Sequence, residues 1–465
     1  MKKNIYFLIE NIRELEPKIL LSLFAAKKGM EVAITKKSRL FEKLHLIRPG
    51  IIFLKSFGRN YDLHLKKINT FGHILTGFDE EGLQLNDGNK LVGDYRFSKN
   101  IMNNLSCIFC NGNYAKKIYM KFFKKENKNI EIIASGHPKI DLLNNISLKY
   151  FSKNLKEIKK KNGKFILIAT QFPFYNMNTI DLIKNPQYSP WLNMKKVSYK
   201  SKTSDSYKNH FKHFLPQEKN FLEYLKLYNY LNKNFPDIKF LIKPHPAENH
   251  NYYNQMIKKN KFSNIQILNI TKSIIPYIQA SEALIAFNST SLVESFILKK
   301  TSINYIPHKD NFSEFKLPKL LSINSNNLNT IGKILKNNLY KKRNYVSKKN
   351  INAAKNILKN LTAGDAVSTI IKKIMSIETN PYKIDNKNQN YINFIYFFLK
   401  TKAISLFNYF FYRNKMLYKV QVDKREGLNK AQIQAKVNDL SKIIYPGTKF
   451  IVKEKYYGIY YIEKF

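Results

Sequence analysis

Acidic residues, cysteine, tryptophan and long apolar runs are all scarce in this chain of 465 residues, which contains two cysteines and one tryptophan. No stretch approaches the roughly 20 uncharged apolar residues that a membrane-spanning helix needs. The short apolar run at residues 5–9 is followed by Glu10 and Arg13 and does not fit a signal peptide. We therefore expect a cytoplasmic protein.

The two cysteines, Cys107 and Cys110, form a single Cys-x-x-Cys. A zinc site of this kind needs a second pair of ligands. A redox motif is the alternative, but the flanking residues are typical of a buried strand. We expect both thiols to lie in the core, in a reducing compartment.

Several nucleotide and catalytic motifs are also missing. The chain has no GxGxxG dinucleotide fingerprint, no GxxxxGK[ST] phosphate loop and no GxSxG nucleophile elbow. It has no DxD-type metal loop paired with a single Rossmann unit, so we expect no bound metal.

Positive charge is abundant: 80 Lys and Arg against 33 Asp and Glu give a formal net charge of +47. This balance can indicate an anionic partner such as nucleic acid, anionic lipid or a phosphorylated substrate. It can also reflect a compositional bias toward Lys, Asn, Ile and Tyr. We favour the bias and expect no specific nucleic-acid partner, because the lysines are scattered rather than gathered on one segment.

Short apolar runs alternate with helical patterns along most of the chain, which predicts an α/β fold with parallel sheets. The predicted strands are residues 5–9, 31–35, 50–54, 73–76, 107–110, 130–134, 165–170, 240–243, 265–268, 283–286 and 302–306. A Lys- and Asn-rich segment at 153–164 separates two doubly wound, Rossmann-like domains, residues 1–155 and 165–375. Residues 176–212 are polar and predict a loop or lid.

Residues 380–465 predict a third part, a small basic and aromatic α+β module. Within it, residues 392–412 are rich in Phe, Tyr, Leu and Ile with interspersed Lys and Arg. This segment fits a helix lying on the anionic inner membrane, which would make the protein peripheral. It fits equally a helix that packs back on the main body. Residues 449–462 predict strands.

Three loops follow predicted strands, at the edge where ligands bind in open α/β sheets. In the first, two prolines fix the backbone of Lys243-Pro244-His245-Pro246. His245 can donate to a phosphate or leaving-group oxygen, and Lys243 adds a positive charge. The alternative is a turn with a structural histidine.

The second loop, Asn288-Ser289-Thr290, opens a helix. Ser289 or Thr290 suits the N-cap, and the helix N-terminus can bind an anion. Glu294, one turn inside, could accept ribose hydroxyls. The alternative is an ordinary capped helix.

The third is the acidic loop Asp79-Glu80-Glu81-Gly82, with Asp141 in the loop after a later strand. Crowded carboxylates should raise at least one pKa, which suits a general acid or base. A separate ionised carboxylate could stabilise or attack an anomeric carbon. The alternative is a solvated acidic loop and a helix-capping aspartate.

These motifs occur in an order that resembles the bacterial surface carbohydrate biosynthesis proteins. That group is similar to the capsule-type β-Kdo transferases and, more distantly, to the CDP-glycerol glycerophosphotransferases. The resemblance covers residues 1–375. It rests on Arg13-Glu14-Leu15, Gly72-His73, Asp79-Glu80-Glu81-Gly82, Gly136-His137-Pro138-Lys139-Ile140-Asp141, Lys243-Pro244-His245-Pro246 and Asn288-Ser289-Thr290 with Glu294.

The resemblance implies a GT-B-like fold, two Rossmann-like domains facing a cleft, and metal-independent transfer from a nucleotide-activated sugar. It implies that the second domain binds the donor through Lys243, His245, Asn288, Ser289, Thr290 and Glu294. It implies that Glu80 or Glu81 is the acid/base. Asp141 would be the nucleophile or stabiliser, and Arg13, His137 and Lys139 are candidate substrate contacts. The family's Gly-Asn-Pro is Gly136-His137-Pro138 here.

The predicted function is therefore a glycosyltransferase that builds a surface polysaccharide or lipopolysaccharide. CMP-Kdo or another CMP-linked ulosonic acid is the leading donor, used as a co-substrate without any further cofactor, and the acceptor is a glycan or glycolipid. A CDP-glycerol-type glycerophosphotransferase is the alternative enzyme. A membrane-associated scaffold of polysaccharide assembly is the alternative of another class.

Overall fold

The computed structural model describes residues 2–10, 14–80, 82–84, 97–126, 129–173, 175–176, 205–268, 273–309, 315–340, 346–379, 395, 399, 403 and 429–465. They form two compact units. The first contains the chain up to Tyr150 together with everything from Lys355 onward, and the second contains Phe151–Ala354. Arg13, Glu81 and most of the predicted lid and aromatic segment lie outside the described residues.

The first unit is built on a sheet of eight strands in the order β13-β14-β2-β1-β3-β4-β5-β6. Its strands are β1 (Asn4–Ile9), β2 (Glu31–Lys36), β3 (Ile51–Leu54), β4 (Ile74–Phe78), β5 (Leu105–Cys110), β6 (Glu131–Ala134), β13 (Phe450–Tyr456) and β14 (Ile459–Lys464). β1 to β6 are parallel. Their residues are nearly all buried because helices cover both faces, as parallel sheets require.

The second unit is built on six parallel strands in the order β12-β11-β10-β7-β8-β9. They are β7 (Phe165–Ala169), β8 (Lys239–Lys243), β9 (Ile265–Ile267), β10 (Ala283–Ala286), β11 (Thr301–Tyr305) and β12 (Ile323–Ser325). Ten of the eleven runs predicted as strands correspond to β1 to β10, and the eleventh corresponds to β11. The short β12 is the one strand of this sheet that the apolar pattern missed.

Helices connect the strands. They are α1 (Leu15–Lys27), α2 (Lys37–Glu42), α3 (Leu65–Thr70), α4 (Lys99–Asn103), α5 (Asn113–Glu126), α6 (Pro138–Asn145), α7 (Ser147–Tyr150), α8 (Ser152–Asn162), α9 (Asp205–Asn234), α10 (His250–Lys259), α11 (Ile275–Ala280), α12 (Ser291–Ile297), α13 (Lys316–Leu320), α14 (Leu328–Tyr340), α15 (Lys348–Ile357), α16 (Ala366–Ser376) and α17 (Lys430–Ile444). The predicted α/β class, with two Rossmann-like doubly wound sheets, is confirmed.

The end of the chain is part of the first unit rather than a separate module. β14 pairs antiparallel with β2, with Ile459 opposite Thr35 and Ile462 opposite Val32. The apolar face of α17 is buried against the same unit. Each fully buried aliphatic side chain contributes about 1.5–3 kcal/mol, which explains why this amphipathic segment docks on the sheet.

The segment 355–376, which the sequence assigned to the second domain, also belongs to the first unit. Asn360, only 1% exposed, bonds the loop that precedes α6. The apolar face of α16 packs into the core of the same unit. Apolar periodicity predicts a buried helix face there but does not show which unit buries it.

The prediction that both cysteines lie in the core is confirmed, since both are buried free thiols. Cys107 and Cys110 lie in the two different cores of the first unit. Three residues along a strand place their side chains on opposite faces. Among the described residues, no helix is long and apolar enough to cross a membrane.

Candidate functional site

The strand order of the second unit creates a switch point beside β7. The chain leaves β7 for β8 and β9 on one side and returns to β10 on the other. Ligands bind in open α/β sheets where the strand order reverses, at the carboxyl ends of the strands. Ala169, the last residue of β7, pairs with Lys243 and with Ala286. The two loops predicted to bind the donor thus begin at one edge, about 10 Å apart at the usual strand spacing.

The loop after β8 is fixed by a buried glutamate, Glu248. Its carboxylate accepts the backbone N–H of His245 at 3.1 Å and that of Phe172 at 3.0 Å. It also accepts the hydroxyl of Thr170 at 2.9 Å and the hydroxyl of Tyr253. One carboxylate therefore ties together the end of β7, the His-Pro loop and α10.

Glu248 belongs to none of the motifs in the sequence. It is the only acidic residue in the dozen positions around His245, in a chain poor in acidic residues. That position gave a weak signal, but the pattern could not show that it is 1% exposed. Burial raises the pKa of Glu248, and the hydrogen bonds from Tyr253 and Phe172 offset part of that rise.

His245 is half-buried, and its ring is oriented by its own loop. Nδ1 accepts the backbone N–H of Ala247 at 3.2 Å. In the neutral ring, an accepting Nδ1 leaves the proton on Nε2. Lys243 is buried beside it, and its ammonium donates to the carbonyl oxygen of Pro244 at 2.6 Å. The loop thus presents an imidazole N–H and a buried cation at the switch point.

The turn after β10 places Asn288 in the left-handed region, with φ of 44°. Its side-chain oxygen accepts the backbone N–H of Phe315 at 2.8 Å, and its own N–H donates to Asn304 at 2.9 Å. Asn288 therefore shapes the turn, and its side-chain oxygen is already bonded within the protein.

Ser289 and Thr290 are half-buried at the start of α12. The Ser289 hydroxyl accepts the backbone N–H of Ser291 at 3.3 Å, whereas Thr290, the N-cap residue, makes no side-chain capping bond. Glu294 lies buried in the first turn. The helix predicted after this turn is present and has seven residues, but its N-cap side chain makes no capping bond.

In the first unit, the loop after β4 places Glu80 between two basic groups. The Lys18 ammonium lies 2.5 Å from one Glu80 oxygen, and the His137 Nε2 lies 3.6 Å from the other. Lys18 comes from α1 and His137 from the loop after β6. Neighbouring Asp79 is 3% exposed and accepts the hydroxyl of Tyr119 at 3.2 Å.

The protonation of Glu80 depends on these neighbours. Burial raises the pKa of Glu80, but Lys18, His137 and Lys55 together outweigh burial and hold the pKa below its usual range, with Lys18 the largest of the three. Burial lowers the pKa of His137 to about 4. Its Nδ1 accepts the backbone N–H of Lys139 at 3.1 Å, so the proton of the neutral ring is on Nε2, toward Glu80. Glu80 is thus an ionised acceptor. It is not the carboxyl of raised pKa that crowding predicts in this loop, and Glu81 lies outside the described residues.

A second ion-pair group lies at the same edge of the first sheet. Lys55, just after β3, lies 2.8 Å from Glu10 and 3.2 Å from Glu14, both of which follow β1. The backbone N–H of Glu80 donates to the Lys55 carbonyl at 3.1 Å. The carboxyl edge of this sheet is therefore lined by alternating charges.

Asp141, the predicted nucleophile, has both oxygens engaged within the protein. One accepts the side-chain amide of Asn360 at 2.6 Å, and the other accepts the backbone N–H of Val367 at 2.8 Å. Val367 is in the first turn of α16, so Asp141 caps a helix from a different part of the chain. This arrangement fits the helix-capping alternative, and only the three-dimensional fold could reveal its partner.

No group of three or more His, Cys, Asp or Glu side chains that could hold a metal ion occurs in the part of the chain that the structure describes.

No protein-family model matches the chain, and no curated protein matches it. Among solved structures it is similar to the wall teichoic acid polymerase TagF, at 14% identity and a TM-score of 0.47 over 80% of this chain and 88% of that one. It is similar to the UDP-GlcNAc 2-epimerase of Methanocaldococcus jannaschii, at 14% identity and a TM-score of 0.47 over 81% of this chain and 99% of that one. A glycosyltransferase from Rickettsia africae ESF-5 has 13% identity and a TM-score of 0.45 over 81% and 100%.

Proposed function

We propose that the chain is a glycosyltransferase that moves a sugar from a nucleotide-activated donor to a surface polysaccharide or lipopolysaccharide acceptor. The observation that carries the proposal is the switch point of the second unit. There the Lys243–Glu248 loop and the Asn288–Thr290 turn begin on either side of β7, at the same register. This is where an α/β sheet binds a nucleotide.

The chemistry of the His-Pro loop suits a departing phosphate. When the bond between sugar and phosphate breaks, negative charge builds on the phosphate oxygen. Fixed donors aimed at that charge stabilise the transition state without having to reorganise. We assign this role to Lys243 and to the Nε2 proton of His245, and Glu248 holds the backbone N–H of His245 in place. We assign the ribose to Glu294 and the Ser289–Thr290 hydroxyls.

For the donor, the resemblance to β-Kdo transferases favours a CMP-linked ulosonic acid such as Kdo. The cationic loop removes the need for a metal to neutralise the phosphate. We therefore propose that transfer proceeds without a bound divalent ion and that chelation with EDTA leaves turnover unchanged.

The test is release of free nucleotide from a panel of nucleotide-activated sugars, with and without glycan acceptors. Replacing His245 with Asn should lower kcat by about 10²–10⁴-fold, the usual contribution of a positioned proton donor. Lys258→Ala, an exposed change in the last turn of α10, is the control and should keep wild-type turnover. Equal turnover of both variants would remove His245 from the mechanism.

Glycerol phosphate transfer from CDP-glycerol is the second candidate, and the hydrogen bonds of Asp141 favour it. Attack on phosphorus needs one base for the acceptor and no second carboxylate at an anomeric carbon. Assaying CDP-glycerol beside CMP-sugars separates the two reactions. A protein that binds no nucleotide at all would instead be the scaffold.

A further inference from the structure

We propose that Lys18 is the positioning residue of the first unit: it holds the Glu80 carboxylate in place, ionised, to accept the proton of the acceptor hydroxyl. This inference rests on the proposed transferase function. It adds a residue that no motif indicated, since Lys18 lies in the apolar helix α1 and far in sequence from the acidic loop.

The contacts of Lys18 set it apart from the other lysines. Its side chain is 1% exposed, in a chain whose lysines are mostly on the surface. Its ammonium lies 2.5 Å from Glu80 and 4.6 Å from the centre of the Phe53 ring. Burying an ammonium is costly unless it is paired or hydrogen-bonded, and Glu80 provides the ion pair for Lys18. Glu80 is 14% exposed, so a substrate hydroxyl can still reach its carboxylate.

Three parts of the first unit bring titratable basic groups toward Glu80. Lys18 comes from α1, His137 precedes α6, and Lys55 follows β3. Lys55 is already bound by Glu10 and Glu14, and His137 is neutral near pH 7 because burial lowers its pKa to about 4. Lys18 is therefore the principal full charge on Glu80, and the lowered pKa of Glu80 agrees with this.

The proposed reaction is a nucleophilic substitution at the anomeric carbon of the donor sugar. The acceptor oxygen forms a bond to the anomeric carbon of the nucleotide-activated sugar, and its proton passes to the Glu80 carboxylate. The bond between that carbon and the phosphate oxygen breaks, and its electron pair leaves with the nucleotide. Only an ionised Glu80 can take the proton. Lys18 touches neither substrate and acts through Glu80.

The experiment is the pH profile of kcat/KM for transfer, measured for the wild type, Lys18→Met, Lys18→Arg and Lys67→Met. Without the ammonium, the buried Glu80 should protonate more readily. The acid limb of the Lys18→Met profile should then move to higher pH. Lys18→Arg keeps the charge and should move the limb back toward the wild type.

Lys67 provides a matched control because it is another buried lysine of the first unit. Its ammonium donates to the backbone carbonyls of Phe41 and Glu42 at 2.8 and 3.2 Å. Lys67→Met should leave the acid limb where the wild type has it. A limb that moves equally in Lys67→Met and Lys18→Met would overturn the role of Lys18.

Circular dichroism and thermal unfolding establish that each variant is folded. If Lys18→Met does not fold, Lys18→Gln replaces it. If a folded variant without the ammonium shows the same acid limb as the wild type, the role of Lys18 is overturned. The proposed function still stands in that case, provided that the wild type turns over a nucleotide-activated donor. A wild type that neither binds nor turns over any nucleotide-activated donor overturns both.

Discussion

Glu80 in the first unit and Glu248 in the second are both largely buried, and both lie in loops that follow a strand of a parallel sheet. Their surroundings are opposite. Glu80 is paired with the Lys18 ammonium, whereas Glu248 accepts hydrogen bonds from neutral donors only: two hydroxyls and two backbone N–H groups. The pKa of Glu80 is lowered and that of Glu248 is raised.

The difference indicates a division of labour. A carboxylate held ionised by a cation is suited to accept a proton. A carboxylate surrounded by neutral donors is suited to fix a loop, because the hydrogen bonds survive whether or not it carries charge. The role of Glu80 in the first unit therefore depends on its charge, whereas the role of Glu248 in the second unit depends on the geometry of its hydrogen bonds.

A Glu→Gln substitution should lower the free energy of unfolding more at Glu80 than at Glu248. Glu80→Gln leaves Lys18 as an uncompensated buried charge and should lower the free energy of unfolding by about 3–5 kcal/mol. Glu248→Gln keeps an oxygen for the two backbone N–H groups, and the Thr170 and Tyr253 hydroxyls can turn to accept from its amide. We expect a loss below about 1.5 kcal/mol, the net value of one hydrogen bond.

Denaturant unfolding of both variants measures this contrast. The double variant Lys18→Met/Glu80→Gln is the control, because replacing both members of a buried ion pair is often neutral. It should recover most of the stability that Glu80→Gln loses. Equal losses for Glu80→Gln and Glu248→Gln would show that the two glutamates do not differ as described.

The loop that aims His137 at Glu80 should depend on Gly136. This glycine has φ of 89°, and a Cβ there would lie 2.5 Å from the Asn360 side chain. Gly136→Ala combines left-handed strain with a clash, about 2–5 kcal/mol together. Gly29, with φ of 84° and open space around it, is the matched control and should lose only about 1–2 kcal/mol as Ala. Thermal unfolding of the two variants compares them, and equal losses would contradict the close approach to Asn360.

Asp141→Asn tests whether a third carboxylate belongs to the charged edge. The new amide would meet the Asn360 amide, which already donates to Asp141 and is held by the backbone of His137. We expect unfolding to become easier by about 1.5–3 kcal/mol, with turnover per folded molecule reduced less than tenfold. A stable variant whose turnover falls a thousandfold would instead restore Asp141 as the nucleophile.

The pH dependence of stability should have opposite signs at the two glutamates. A lowered folded pKa means that Glu80 stabilises the protein above its unfolded pKa, near 4.5, and that this contribution is lost as the pH falls through the folded value. A raised folded pKa means that Glu248 contributes below 4.5 and that this contribution is lost as the pH rises through the folded value.

Melting temperatures measured from pH 7 down to pH 3.5 read out both effects, which we expect to be the smallest of the set. The gap between the wild type and Glu80→Gln should narrow on acidification. Over the same range, the melting temperature of the wild type should rise relative to that of Glu248→Gln. If both differences in melting temperature change in the same direction with pH, the two glutamates do not differ in their electrostatics as described.

Much of the fold could be predicted because parallel strands are buried on both faces and stand out as short apolar runs. β12, Ile323–Ser325, could not be predicted because it has three residues and only one is apolar. The sequence also did not predict that 355–376 and β14 belong to the first unit. Asn360, and the pairing of Ile462 with Val32, act over hundreds of residues and leave no periodic trace.

The candidate site was predictable only in part. Strand ends located Glu80, His245 and the Asn288 turn, because ligand loops follow strands. Their partners, Lys18 and Glu248, could not be found in this way, since a buried cation in an apolar helix and a carboxylate below a loop are recognised by contact and not by spacing. Asp141 resembled a catalytic residue in sequence and is hydrogen-bonded as a helix cap.

The most direct test of the central claim is nucleotide binding at the second unit. Calorimetry or thermal shift with CMP, CDP, UDP and GDP should find one nucleotide that stabilises the wild type, by about 2.7 kcal/mol at 100 times its Kd. His245→Asn should weaken that binding at least tenfold, whereas the Lys18→Met/Glu80→Gln double variant should keep it. No response to any nucleotide, or binding lost in the double variant and kept in His245→Asn, would contradict the account.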